Sequence, residues 1–244
     1  MLEVENFTKR YGDFTAVEDL SFEVAPGEIL GLVGPNGAGK TTSLRAFAGI
    51  LKPSAGTIRI AGFDLQRQAV EAKRAMAWVP DTPNPFELLT VAEHLHFTAL
   101  AYGVDDAESR TGPLLEEREL GEKRDALGST LSRGMRQKLA FACAFMRDPK
   151  VLLLDEPLTG LDPKAIRNVR EAIRHRAEAG TAVIVSSHLL DLVERLCDRI
   201  LVLHRGRKIA LGTLEEIRAG ATNAKGQSLE EVFFSITEDA HEEA

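Results

Sequence analysis

Cysteine is nearly absent from this 244-residue chain: only Cys143 and Cys197 occur, far apart and without a neighbouring ligand cluster. A disulfide framework and a structural zinc site are therefore excluded, and a reducing compartment is the expected home. Aromatic residues are also sparse, at 6% with one tryptophan and two tyrosines. Long apolar runs are missing as well. The longest, residues 139–146, has eight residues, against about 20 for a membrane span. The first residues carry no apolar signal segment, so the chain is expected neither to cross a bilayer nor to leave by that route. An excess of positive charge is the last absence. Lys plus Arg number 30 against 37 Asp plus Glu, for a formal net charge of −7. No global positive field exists to hold a phosphodiester backbone, and no nucleic-acid partner is expected. The negative charge sits at the end: Glu230, Glu231, Glu238, Asp239, Glu242 and Glu243 fall in residues 226–244, which hold no Lys or Arg, so residues 1–225 are close to neutral.

The remaining composition, 44% hydrophobic and 27% charged, is ordinary for a globular protein with a sizeable core. Leu2, Val4 and Phe7, then Val17, Leu20, Phe22 and Val24, alternate in strand fashion. Tyr11-Gly12-Asp13 and Pro26-Gly27 supply turns, which predicts two early antiparallel strands. From Glu28 the pattern becomes strand then helix: 29–33 then 40–50, 151–154 then 163–178, 181–185 then 189–196, and 200–203. Such alternation predicts a parallel α/β sheet. Residues 83–147 break the rhythm with helical patterns only, at about 91–101, 105–120 and 133–147, and are read as an inserted helical subdomain. Residues 218–228 read as a polar linker, and Leu229, Val232, Phe233 and Ile236 as a short amphipathic stretch. One domain over 1–236 with an acidic tail at 237–244 is the expected organisation.

Gly34-Pro35-Asn36-Gly37-Ala38-Gly39-Lys40-Thr41 fits G-x-x-x-x-G-K-[ST], after a predicted strand and opening a predicted helix. The glycines let consecutive backbone N–H groups turn inward on phosphate oxygens, and the helix adds its positive end. Lys40 reaches the β- and γ-phosphates, the Thr41 hydroxyl can ligate Mg²⁺, and Thr42 completes the loop. Nucleotide triphosphate binding is the inference. Residues 151–154 are an apolar strand ending in Asp155-Glu156. A parallel strand flanking the phosphate loop would deliver both carboxylates beside the phosphates. Asp155 would then hold Mg²⁺ through water, and Glu156 would polarise the attacking water.

With these two elements in place, the chain resembles the ATP-binding subunit of ABC transporters over about residues 2–236. Leu131-Ser132-Arg133-Gly134-Met135 is similar to the family's LSGGQ signature, Thr159-Gly160-Leu161-Asp162 to its D-loop, and His188 to its switch histidine. Tyr11 stands where the family stacks an aromatic ring on adenine. The resemblance implies a P-loop NTPase (RecA-like) α/β core with an N-terminal antiparallel β-subdomain and an inserted α-helical subdomain. It also implies that Ser132 and Gly134 complete the nucleotide site of a second ATP-binding subunit, identical or not. Integral membrane permease subunits would receive the stroke, with the chain peripheral on the cytoplasmic face of the membrane. His188 would donate to the γ-phosphate or orient Glu156 and water. Ser132 and Asp162 each also read as a helix N-cap, a role compatible with the other.

Two departures stand out. Asp81 occupies the place of the family's glutamine, as a Mg²⁺ ligand that adds repulsion to the γ-phosphate unless the metal compensates. Arg133 and Met135 replace a glycine and the glutamine of the signature, and Arg133 adds a cation near phosphate; the site is expected to stay active, the other reading being a degenerate site of a heterodimer. Pro80-Asp81 and the ending Ser228-Leu229-Glu230-Glu231-Val232-Phe233 resemble prokaryotic exporter-type subunits. Residues 80–90, with Pro80, Pro83, Pro85, Phe86, Leu88 and Leu89, either meet the membrane partner or pack the helical lobe onto the sheet. The rival function is an ABC-type ATPase acting on ribosomes or nucleic acid without a membrane partner. Such proteins carry two cassettes or a long coiled coil, and neither feature is present.

Overall fold

The computed structural model describes residues 1–159, 161–220 and 231. The amphipathic stretch, the acidic tail, most of the linker and Gly160 of the D-loop lie outside that set, apart from Glu231; Arg218–Gly220 close a helix rather than open a linker.

Two sheets stack on each other. The first is antiparallel, in the order β2-β1-β4-β5, from β1 (Leu2–Tyr11), β2 (Phe14–Val24), β4 (Ala55–Ile60) and β5 (Phe63–Asp64). The second has the order β10-β9-β3-β8-β7-β6. Its members are β3 (Ile29–Val33), β6 (Met76–Val79), β7 (Val151–Asp155), β8 (Ala182–Ser186), β9 (Arg199–His204) and β10 (Arg207–Gly212). All its pairings are parallel except β9 with β10, which is an antiparallel edge.

Burial on both faces explains why β3, β7 and β8 are continuous apolar runs. Successive side chains of a strand point to opposite faces. Val151, Leu153, Ala182 and Ile184 face the antiparallel sheet with Leu30 and Leu32, around Phe7 and Phe47. Leu152, Leu154, Val183 and Val185 face the other way, toward α5 (Arg133–Met146) and α6 (Pro163–Glu178). Helix α1 (Lys40–Phe47) follows β3, α2 (Ala69–Arg74) precedes β6, and α7 (Leu190–Leu196) and α8 (Leu214–Gly220) cover the β3–β9 end.

Between β6 and β7 the chain leaves the sheet and forms α3 (Val91–Tyr102), α4 (Ala107–Glu117) and α5, which pack on one another. Helix α3 starts at a reciprocal cap: the Thr90 hydroxyl accepts from the Glu93 amide (3.2 Å) and the Glu93 carboxylate accepts from the Thr90 amide (2.7 Å). Two polar ties join these helices to the core. Gln137 of α5, buried, donates to the Pro157 carbonyl at 3.3 Å. Glu119 bridges Lys138 of α5 (2.5 Å) and Lys164 of α6 (2.8 Å).

Candidate functional site: the phosphate loop and the end of β7

The strand order corrects one expectation. The carboxylate strand β7 does not flank β3; β8 lies between them. Ser186, the last residue of β8, pairs in register with Asp155 and fills the gap. Its hydroxyl donates to Asp155 Oδ1 at 2.6 Å, and the Glu156 amide donates to the same hydroxyl at 3.1 Å and to the Ser186 carbonyl at 3.1 Å. Sequence reasoning missed this serine, because a strand-end serine carries no motif; only the register gives it a partner.

Phosphate-loop geometry follows from two glycines. Gly39 has φ 105°, and a Cβ there would stand 2.9 Å from the Ala16 carbonyl oxygen and from Val17 Cγ2. A Cβ on Gly34 would come within 2.3 Å of the Leu203 carbonyl oxygen. Only glycine lets the loop coil this closely onto β2 and β9. Lys40 folds back into it, 8% exposed, donating to the carbonyls of Gly34 (2.6 Å) and Pro35 (3.2 Å). Burial lowers its pKa, against the opposing pull of the Glu156 and Asp155 carboxylates. Thr41 places its hydroxyl 3.4 Å from Asp155 Oδ1, joining α1 to β7 across the sheet end.

Glu156 breaks out of the strand with φ 47°, a left-handed conformation that costs about 1 kcal/mol for a residue with a side chain. The two bonds to Ser186 hold it there. The turn aims its carboxylate at His188, whose Nδ1 lies 2.8 Å from Oε2. The same Glu156 oxygen lies 3.4 Å from the His188 amide, which donates to it.

A cleft of about 500 Å³ opens over these groups, lined by residues 35–42 together with Phe14, Ala16, Asp81, Arg133, Glu156, Thr159 and His188. That volume suits a nucleotide-sized ligand. Asp155 sits just beneath it, 3% exposed. Tyr11 is not among the lining residues: its half-exposed ring lies under Lys9 Nζ, 4.9 Å from the ring centre. Phe14, at the start of β2, is the aromatic residue on the wall. Ser132, Gly134 and Asp162 also lie off the wall. Ser132 caps α5, accepting from the Met135 amide at 3.3 Å, and Asp162 caps α6, accepting from the amides of Lys164 (3.0 Å) and Ala165 (2.9 Å). A Cβ on Gly134 would meet nothing closer than Leu161 Cδ2 at 3.9 Å, so the backbone at the start of α5 is open to approach. Asp81 lines the cleft with its Oδ1 3.6 Å from Arg133 Nη2.

The sequence profile of the ABC transporter family matches residues 17–159. The chain is 44% identical over 213 residues to the Nod factor export ATP-binding protein I of Paraburkholderia xenovorans (strain LB400), covering 86% of this chain and 70% of that one. It is 35% identical over 246 aligned positions to the ABC-type transporter ATP-binding protein EcsA of Bacillus subtilis (strain 168), covering 100% and 99%. A solved structure of an ATP-binding subunit of an ABC transporter superposes with a TM-score of 0.93 at 38% identity, covering 97% of this chain and 99% of that one. With a phosphate loop, a strand-end carboxylate pair and a histidine converging on one cleft, and with these likenesses spanning its length, the chain belongs to the ABC transporter family as an ATP-binding, ATP-hydrolysing subunit.

Proposed function

We propose that this subunit powers export, as one of two cassettes seated on the cytoplasmic side of separate membrane-spanning permease subunits. The observation that carries the reading is the convergence of Lys40, Thr41, Glu156 and His188 on one cleft. Residues 34–42 cradle the phosphates, with Lys40 turning from the loop carbonyls to the β- and γ-phosphates. The adenine stacks at the β1–β2 turn, where Tyr11 and Phe14 are both exposed. The oxygens of Thr41 and Asp155 are hard donors of the kind Mg²⁺ takes, and Asp81 is a further carboxylate on the wall. Among the described residues no cluster of three or more His, Cys, Asp or Glu could hold a metal ion, so these oxygens would hold Mg²⁺ only together with bound nucleotide. When bound, the ion neutralises charge on the phosphates. Glu156 takes the proton of the attacking water, and the Ser186 bonds and the His188 ring hold its carboxylate in place.

A second cassette, identical or not, completes each site. The open backbone at Gly134 and the capped start of α5 present N–H groups to an anion on a facing subunit, and Asp162 borders the same seam. Exposed Phe86, whose ring meets that of Phe97 of α3 edge-on at 5.4 Å, and exposed Leu88 (84%) supply an apolar surface for the permease. No helix among the described residues is long and apolar enough to cross a membrane, which leaves the passage to other subunits. Export rests on the relatives named for it and on the Pro80-Asp81 departure.

Replacing Glu156 by Gln tests the reading. The variant should keep ATP affinity, lose turnover by about a hundredfold or more, and accumulate as an ATP-bound dimer in light scattering. Lys40→Ala should lose ATP binding. Wild-type turnover in Glu156→Gln would reject Glu156 as the base.

A further inference from the structure

Asp81 and Arg133 reach the cleft from two different parts of the fold. Asp81 lies just beyond β6, and Arg133 is the first residue of α5. Arg133 Nη2 stands 3.6 Å from Asp81 Oδ1, and the other Asp81 oxygen accepts from Thr82 Oγ1 at 3.3 Å. The charge balance of the cleft shows what this contact does. Asp81, Asp155 and Glu156 bring three carboxylates to the place where a polyanion has to bind. Lys40 is the cation within the loop, and it is already engaged with two carbonyls and set between Asp155 and Glu156. Arg133 is the cation set against Asp81.

We infer that Arg133 is a positioning residue that acts through Asp81: the ion pair cancels the Asp81 carboxylate on the wall the γ-phosphate approaches, and so sets the preference for ATP over ADP. The inference rests on the proposed placement of ATP in this cleft. It differs from a direct contact of Arg133 with phosphate. Arg133 is 57% exposed, and among the described residues Asp81 is its one ion-pair partner. Without Asp81 nothing else among these contacts holds the guanidinium over the cleft, and its hydrated position in solvent is favoured. With Asp81, the pair presents a neutral wall. An exposed pair at this distance contributes little to folding, so its effect is felt in binding, where an unpaired carboxylate would repel the γ-phosphate through a partly desolvated cleft.

The test is a cycle of Arg133→Ala, Asp81→Asn and the double variant. Affinities for a non-hydrolysable ATP analogue and for ADP are measured with Mg²⁺ by calorimetry, at protein concentrations where the chain is monomeric. Arg133→Ala should weaken the ATP analogue about tenfold and ADP by less than about twofold, because ADP lacks the γ-phosphate. With Asn at position 81, removing Arg133 should change analogue affinity by less than about twofold, and Arg133→Lys should keep most of the wild-type preference. All variants should melt with the parent protein. A tenfold loss from Arg133→Ala in both backgrounds would mean that Arg133 touches phosphate itself, and equal losses for analogue and ADP would mean a general structural role; either overturns the inference. If the wild-type chain binds neither nucleotide, it is the placement of ATP in the cleft that fails instead.

Discussion

Ser186→Ala removes one oxygen from a completely buried position and should have effects well beyond its size. The hydroxyl has two jobs: it donates to Asp155 Oδ1 at 2.6 Å and accepts from the Glu156 amide at 3.1 Å. The amide keeps a second acceptor, the Ser186 carbonyl at 3.1 Å, so that donor is not orphaned. Asp155 fares worse. It is 3% exposed, and without Ser186 the remaining side-chain hydroxyl near it is Thr41, at 3.4 Å. Losing a hydrogen bond to a charged group costs about 1.5–3 kcal/mol, and for a domain of this size each kcal/mol lowers Tm by about 2–4 °C. A fall of about 3–12 °C is therefore expected in nucleotide-free scanning calorimetry. Turnover should fall about tenfold, because Glu156, at φ 47°, loses one of the two bonds that fix its turn toward His188. A change of less than about 1 °C with normal turnover would refute the claim that Ser186 supports the carboxylate pair.

Three further outcomes follow from the same contacts. Gly39→Ala puts a Cβ at φ 105°, 2.9 Å from the Ala16 carbonyl, and should destabilise the fold by about 2 kcal/mol or more with loss of nucleotide binding, measured by melting and calorimetry. Hydrogen bonds from Lys138 and then Lys164 pull the Glu119 carboxyl from 4.5 down to about 2. Its folded value lies below its unfolded one, so its contribution is complete above about 4.5 and is lost as pH falls toward about 2. The Tm difference between wild type and Glu119→Gln, about a degree or two for so exposed a group, should therefore shrink on going from pH 5 to pH 3, and a constant difference would contradict the pairing. Burial pushes the Cys143 thiol up to about 11 and the Cys197 thiol up to about 12. Both should resist a thiol reagent at pH 8 in the native protein and react on unfolding; rapid native labelling would contradict their packing.

The parts of the molecule legible from sequence are those whose cause is local. The phosphate loop carries its glycines, lysine and threonine within eight residues, and β3 and the first four residues of β7 are apolar because both faces of the main sheet are covered. Thr90, Ser132 and Asp162 each cap the helix they precede, yet only the last two were read as caps. What escaped depends on distant partners. Strand β4 opens on exposed Ala55 and Gly56, and its outline comes from pairing with β1, Leu2 opposite Ile60. Strand β10 is an edge with little burial, α2 is six residues with Ala72 as its buried member, and β5 and α8 are equally short of pattern. The interposition of β8 between β3 and β7 is a fact of sheet order, which no local pattern encodes, and Ser186 was invisible for the same reason. Asp81 and Arg133 were each noticed as unusual, but their meeting needed the fold to bring the end of β6 against the start of α5.

The central claim is that this ATPase works on a membrane permease, and one measurement bears on it most directly. The tagged Glu156→Gln chain, expressed in its own cells and held with ATP, is purified from detergent-solubilised membranes and its partners are identified and quantified. The account predicts a multi-span membrane protein in about 1:1 ratio to the chain, lost when Lys40 is also replaced by Ala. Recovery of ribosomes or nucleic-acid machinery in ATP, with no membrane protein, would contradict it and leave only the ATPase.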